Sequence, residues 1–178
     1  MPELLIHMPS LIALELSLPR DDSAVGILSI IRAPRLRGLT LGSATLADLA
    51  RLSAGMLPPL PALTHLYVIA NVCERGSFNF LRMLPSLRRL LCVGRMSDLL
   101  CALGTAGRRC PCPELETLVL SWVEEELLQD MLQVRKVAGV PIADVQNLAH
   151  HEGSVGPGIK AWTAKMTTEL VAAGVEVE

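Results

Sequence analysis

LPALTHLYV (60–68), LPSLRRLLC (84–92) and CPELETLVL (112–120) share one spelling: an apolar residue, Pro, any residue, Leu, two residues, Leu, one residue and a closing apolar position. Two earlier stretches, MPSLIALEL (8–16) and APRLRGLTL (33–41), repeat it. The prolines Pro9, Pro34, Pro61, Pro85 and Pro113 follow one another at steps of 25, 27, 24 and 28 residues. Such a period is the mark of stacked repeat units that cannot bury their apolar side chains singly. Within each phrase the last two apolar positions lie two apart, the period of a strand, so both face one side. The proline stands ahead of the strand, where its missing N–H removes no ladder hydrogen bond.

Helical patterns fill the intervals. Thr45 with Asp48 three residues on reads as a capping box opening a helix that carries Leu46, Leu49 and Leu52 and closes near Gly55. Similar signals place helices near 23–32, 77–83, 97–105 and 124–138, the last ending at Gly139. Glu124, Glu125 and Glu126 open that helix, where negative charge suits the N-terminal dipole. Strand, turn, helix and turn therefore recur, which predicts an α/β leucine-rich repeat solenoid with a parallel sheet on the inner face and helices outside. Five irregular repeats are expected, with GVPIADVQN (139–147) as a degenerate sixth carrying Pro141. Residues 1–148 read as the repeats. Residues 149–178 read as a loop and a C-terminal capping helix of the same domain, with Ile159, Trp162, Met166 and Leu170 as its apolar stripe.

Composition agrees with this reading. The chain has 178 residues, 33 of them leucine and only five aromatic, so one branched aliphatic side chain builds the core. A net charge of -2 supplies no cationic excess for a nucleic-acid backbone. The N-terminal apolar stretch lacks a basic leader and is interrupted by Glu3, His7, Pro9 and Glu15, which argues against a signal peptide or membrane anchor. Five cysteines, Cys73, Cys92, Cys101, Cys110 and Cys112, lie in apolar contexts and point to a reducing compartment, cytoplasmic or nuclear.

The phrases at 60–68, 84–92 and 112–120 resemble the irregular repeats of fungal F-box proteins, and the likeness covers residues 8–178. The segment LLQDMLQVRKVAGVPIADV (127–145) is similar to their late helix and strand, where a basic residue precedes Gly-Val-Pro. In that family the repeats recognise a target, while a separate F-box binds the adaptor of a ubiquitin ligase. The resemblance thus implies the target-reading half of such a subunit. Residues PELLIH (2–7) imitate an F-box opening, but the first repeat follows at once, so adaptor binding is expected only if an F-box lies upstream. The alternative is a truncated repeat protein without independent function, whose uncovered first repeat would promote aggregation. The standard repeat also carries Asn after the strand; here only Asn71 fills that slot, the others being Pro19, Ala44, Arg95 and Val123, which predicts irregular turns.

No constellation suited to catalysis, cofactor or metal emerges. Cys110 and Cys112 are spaced C-x-C, with Cys101 apart and no histidine near, and structural burial accounts for them better than zinc. His150, His151 and Glu152 sit in a Gly-rich loop with nothing to orient them. Gly153, Gly156 and Gly158 lack the strand and the Lys-Ser or Lys-Thr of a phosphate loop. Function is therefore expected on the inner sheet face, whose rows run Ala13, Glu15, Ser17; Gly38, Thr40, Gly42; His65, Tyr67, Ile69; Arg89, Leu91, Val93; and Thr117, Val119, Ser121. Tyr67, Ile69, Arg89, Leu91, Val93 and Val119 form the expected protein-binding patch. The competing expectation is that a further segment, such as the C-terminal helix, folds over this face and makes the patch core.

Overall fold

The structure is a computed structural model that describes residues 5–17, 24–52, 54, 60–70, 76–94, 97–105, 110–121 and 123–147. The expected C-terminal helix, the Gly-rich loop before it, and Asn71 lie outside the described residues. Each phrase begins with the same turn. The amide of the first phrase leucine donates to the carbonyl of the residue before proline, from Leu36 to Ala33 (3.1 Å), Leu63 to Leu60 (3.2 Å), Leu87 to Leu84 (3.2 Å) and Leu115 to Cys112 (3.1 Å). Proline thus sits at the second position of a tight turn, where its fixed φ costs nothing. Leu36, Leu63, Leu87 and Leu115 are all buried beneath these turns.

Strands follow at β2 (Ala13–Ser17), β4 (Gly38–Ala44), β5 (His65–Ala70), β6 (Arg89–Val93), β7 (Thr117–Leu120) and β8 (Asp144–Asn147). They form one six-stranded sheet in the order β2-β4-β5-β6-β7-β8, and every pairing is parallel. The connections carry α1 (Ala24–Ile30), α2 (Leu46–Arg51), α3 (Ser97–Leu103) and α4 (Glu125–Val137). Register aligns Leu14, Leu39, Leu66, Leu90, Leu118 and Val145 in one column, and Leu16, Leu41, Val68, Cys92, Leu120 and Asn147 in the next, save for a bulge in β4 after Leu41. Most of these side chains are buried with Val25, Leu28, Leu49, Leu52, Leu99, Leu100, Leu103 and Leu128 from the helices. Leu14 departs from the expectation of full burial. It belongs to edge strand β2 and is only partly covered.

The helical connections follow the local signals, with two corrections. The Thr45 capping box is present in both directions: the Asp48 amide donates to Thr45 Oγ1 and the Thr45 amide to Asp48 Oδ2, each at 3.1 Å. The stretch expected as a helix at 77–83 is instead a 3₁₀ helix over Asn79–Met83. It occupies the shortest step, 24 residues between Pro61 and Pro85, and a 3₁₀ helix spans more distance per residue than an α-helix. The helix expected near 23–32 stops at Ile30. Ile31–Arg32 becomes β3, which pairs in parallel with β1 (Ile6–His7) as a separate two-stranded sheet. At this end Leu5, Ile6 and Met8 are exposed apolar side chains.

The degenerate sixth phrase supplies β8, but its proline is out of step. Asp144 lies opposite Thr117. Counting back, Pro141 falls level with Glu114, one place later than Pro113. The strand entry here comes from the end of α4 instead. Gly139, at φ +76°, donates to the Lys136 carbonyl (3.1 Å) and Val140 to that of Arg135 (3.0 Å), the paired bonds of a Schellman motif. Gly at that position avoids the strain a side chain would suffer there.

Arg135, on the last turn of α4, is wholly buried. Its guanidinium donates from Nη1 to the Pro111 carbonyl and from Nη2 to the Cys112 carbonyl, both at 2.9 Å, and lies 3.2 Å from Cys110 Sγ. Cys112 has a left-handed φ of 47°, rare outside glycine. The planar fork holds two carbonyls in the turn that leads to β7, a geometry lysine cannot reproduce.

Two stability outcomes are expected. Leu90→Ala should cost about 2–5 kcal/mol, since it hollows the sheet's central column, and an unchanged urea midpoint would contradict its burial. Arg135→Met should cost about 2–4 kcal/mol by leaving two buried carbonyls without their charged donor, and Arg135→Lys should recover only a fraction of that loss in the same titration.

Candidate interaction face

Side chains alternate across a strand, so the residues between the core leucines emerge on the opposite face of the sheet. Pairing sets Glu15, Thr40, Tyr67, Leu91, Val119 and Gln146 in one lateral row, and Ala13, Gly38, His65, Arg89, Thr117 and Asp144 in another. Ile69 lies beside Val93 in a third. All six residues expected to form the binding patch are therefore brought together on one face.

Their exposure differs from the expectation of an open surface. Tyr67, Leu91 and Val119 are only 3%, 1% and 3% exposed and form an apolar cluster separate from the main core. Ile69 and Val93 pack against it, partly buried. The centre of the patch is thus interior. Its margin is accessible: His65, Arg89 and Thr117 are half-buried, while Asp144, Gln146 and Glu15 are exposed. Thr64 Oγ1 lies 2.8 Å from His65 Nδ1, which orients that ring along the margin. Substituting glutamate at both Tyr67 and Leu91 would consequently place two charges in an interior cluster, and loss of folding would accompany any loss of binding.

Electrostatics agree with this burial. The Tyr67 phenol is pushed up to about 12, chiefly because burial penalises the charged form, with the nearby Glu15 and Cys92 adding to the effect. The Cys112 thiol is likewise pushed up to about 12 by burial, which outweighs the opposing pull of Arg135, and its Sγ donates to the Leu81 carbonyl at 3.3 Å. A protonated, hydrogen-bonded thiol is a packing group and not a reactive one. Among the described residues no group of three or more His, Cys, Asp or Glu side chains is placed to hold a metal ion. Also among them, no helix is long and apolar enough to cross a membrane.

Arg135 is the residue that pattern reading undervalued. The sequence marks it only as a basic residue ahead of Gly-Val-Pro, and a basic side chain near a helix C-terminus ordinarily reads as surface charge. Its apolar neighbours on the same helix face, Leu128 and Met131, were the available signal, since Arg135 follows them at helical spacing.

Because the phenol and the Cys112 thiol both titrate higher in the folded chain, each favours folding below its ordinary value, and that contribution is lost as pH rises toward 12. Stability should therefore fall from about pH 9 upward, where the unfolded thiol ionises, and more steeply above about pH 10. Tyr67 is the sole tyrosine. Its tyrosinate absorbance should appear only near the alkaline unfolding transition, whereas a midpoint at the ordinary phenol value in the folded chain would contradict its burial. No family model, curated protein or solved structure matches this chain.

Proposed function

We propose that the chain is a leucine-rich repeat solenoid that serves as a non-catalytic protein-interaction scaffold, comparable to the target-recognition repeats of an F-box subunit. The observation that carries this reading is the lateral ordering of the second sheet face. Six strands in sequence order present one residue each to two lateral rows, so chemically graded side chains line up across neighbouring repeats. Extended faces of this kind suit the recognition of another chain, because many weak contacts can be distributed along them. The margin that His65, Arg89 and Thr117 form, with Ile69 and Val93 beyond, offers both charge and apolar area, and arginine is a favoured anchor. A partner would be a protein with acidic and apolar groups in alternation. Engagement of a ubiquitin-ligase adaptor would require an F-box in the same polypeptide.

A second reading is favoured by Leu5, Ile6 and Met8, which are exposed at the β1 end of the fold. Apolar surface there suits a repeat fragment without an independent role, whose tendency is self-association.

The test is capture from the native cell with the full chain and with an Arg89→Glu variant. The scaffold reading expects a specific protein to be retained by the first and lost, at least tenfold, with the second, while the thermal melt stays within a few degrees. Equal capture by both would exclude this margin, and concentration-dependent light scattering with no specific partner would favour the fragment.

A further inference from the structure

Each internal strand of the sheet has a neighbour on both sides, whereas β2 and β8 have one each among the described residues. The cost shows in the side chains. Met8, Leu11 and Leu14 hold the same places in their phrase as Ala33, Leu36 and Leu39, or Leu84, Leu87 and Leu90, all of which are at most 6% exposed. In the first phrase, however, Met8 is exposed and Leu11 and Leu14 are only half-buried. At the far edge Val145 is half-buried in the column where Leu118 is fully buried. Val137, at the end of α4, is the most exposed of the large apolar side chains at 79%.

The backbone is open at the same two edges. At each internal junction a carbonyl just before one strand accepts two amides from the next repeat, as Ile12 accepts from Arg37 and Gly38. Among the described residues no carbonyl accepts the equivalent amides of the first phrase, Ile12 and Ala13, and no amide reaches the equivalent carbonyl of the last, Ala143. One edge therefore offers what the other lacks. Carrying the parallel ladder on by one strand sets Ala13 of a second copy opposite Asp144, as Gly38 stands opposite Ala13. The same register brings Leu14 level with Val145 and Leu11 level with Ile142, which is also half-buried. Seven residues before Ala13 and Asp144 it brings Ile6 level with Val137, and that count already relates Ile6 to Ile31 in the first two repeats. Exposed apolar side chains thus meet one another.

Charge favours this orientation too. Residues 24–52, beside the β2 edge, carry Arg32, Arg35, Arg37 and Arg51 against Asp48 alone. Residues 123–147, at the β8 edge, carry Glu124, Glu125, Glu126, Asp130 and Asp144 against Arg135 and Lys136. Opposite signs at the two ends favour unlike ends meeting over like ends.

We propose that a second copy of this chain docks head to tail, its β2 edge adding in parallel to the β8 edge of the first. The Ala143 carbonyl then accepts the Ile12 and Ala13 amides, and Val145, Ile142 and Val137 seat on Leu14, Leu11 and Ile6. Because the contact joins two different surfaces, it propagates into an open row of copies unless its rotation closes a ring. The His65 and Arg89 margin stays free, so capture of a partner there and assembly of copies succeed or fail separately.

Sedimentation of the full chain over a concentration series reads the contact by mass action. The weight-average mass should rise past that of a dimer with concentration and return to that of one chain on dilution. Two variants each block one end. Ile6→Lys with Ala13→Pro acts at the β2 edge, where proline removes an open amide. Val137→Lys with Gln146→Glu acts at the β8 edge, where the new carboxylate faces Glu15. Either variant alone should stay monomeric, because every contact needs both ends. Mixed in equal amounts they should form a dimer and grow no further, since each keeps the end that the other lacks. A parent monomeric throughout the series overturns the proposal. Association of either variant alone also overturns it, since that marks like ends meeting or undirected apolar aggregation, as does a mixture of folded variants that stays monomeric. Should a double variant lose the parent's circular dichroism, Ile6→Lys or Val137→Lys alone, each at an exposed position, replaces it in the same mixing experiment.

Discussion

One backbone carbonyl per repeat governs how the strands can stack. The Ile12 carbonyl accepts the amides of both Arg37 and Gly38; that of Arg37 accepts Thr64 and His65; that of Thr64, Arg88 and Arg89; that of Arg88, Glu116 and Thr117; and that of Glu116, Ala143 and Asp144. Each carbonyl belongs to the residue immediately before its strand and receives two N–H groups from the next repeat. Parallel strands gain evenly spaced, slanted bonds, so a fixed entry point determines the whole register. Once entry is fixed, the leucine columns and the rows on the opposite face follow without further specification. A slip of one residue would transfer every leucine to the wrong face.

The repeating phrase made this much readable from sequence, because its proline, its first leucine and its alternation correspond to the turn, the anchor and the strand. Leu63, Leu66 and Val68 have roles that any of the other full phrases would have predicted. The short-range chemistry of Thr45 and Asp48 was equally legible, since a capping box depends on residues three apart. The departures arose where distant parts of the chain set the outcome. Ile31 and Arg32 left the helix because Ile6 and His7 offered a parallel partner. The segment Asn79–Met83 tightened because its repeat is short, and Pro141 fell out of step because the end of α4 had taken over the turn.

The patch expected to bind a partner illustrates the same division. Strand alternation correctly gathered Tyr67, Ile69, Arg89, Leu91, Val93 and Val119 on one face, because alternation is a local property. Whether a face is open depends on what else packs there, and no periodicity within the strands encodes that. Tyr67, Leu91 and Val119 consequently turned out interior while Arg89 remained at the margin. Arg135 shows the converse limit: a residue whose local context suggests solvent serves as a buried fork because two carbonyls from the Pro111 and Cys112 turn converge on it.

That fork also gives the molecule a direction in time. In a stack whose units are stabilised chiefly by their neighbours, loosening starts where a terminal unit is least attached. At one end α4 is tied to the β7 entry by Arg135, and β8 by the two hydrogen bonds that the Glu116 carbonyl accepts from the Ala143 and Asp144 amides. The other end presents the two-residue β1 and uncovered Leu5, Ile6 and Met8. Fluctuations should therefore open the chain from the β1 end inward, and the order in which its amides lose protection would run along the sequence, with the β7 region holding until late.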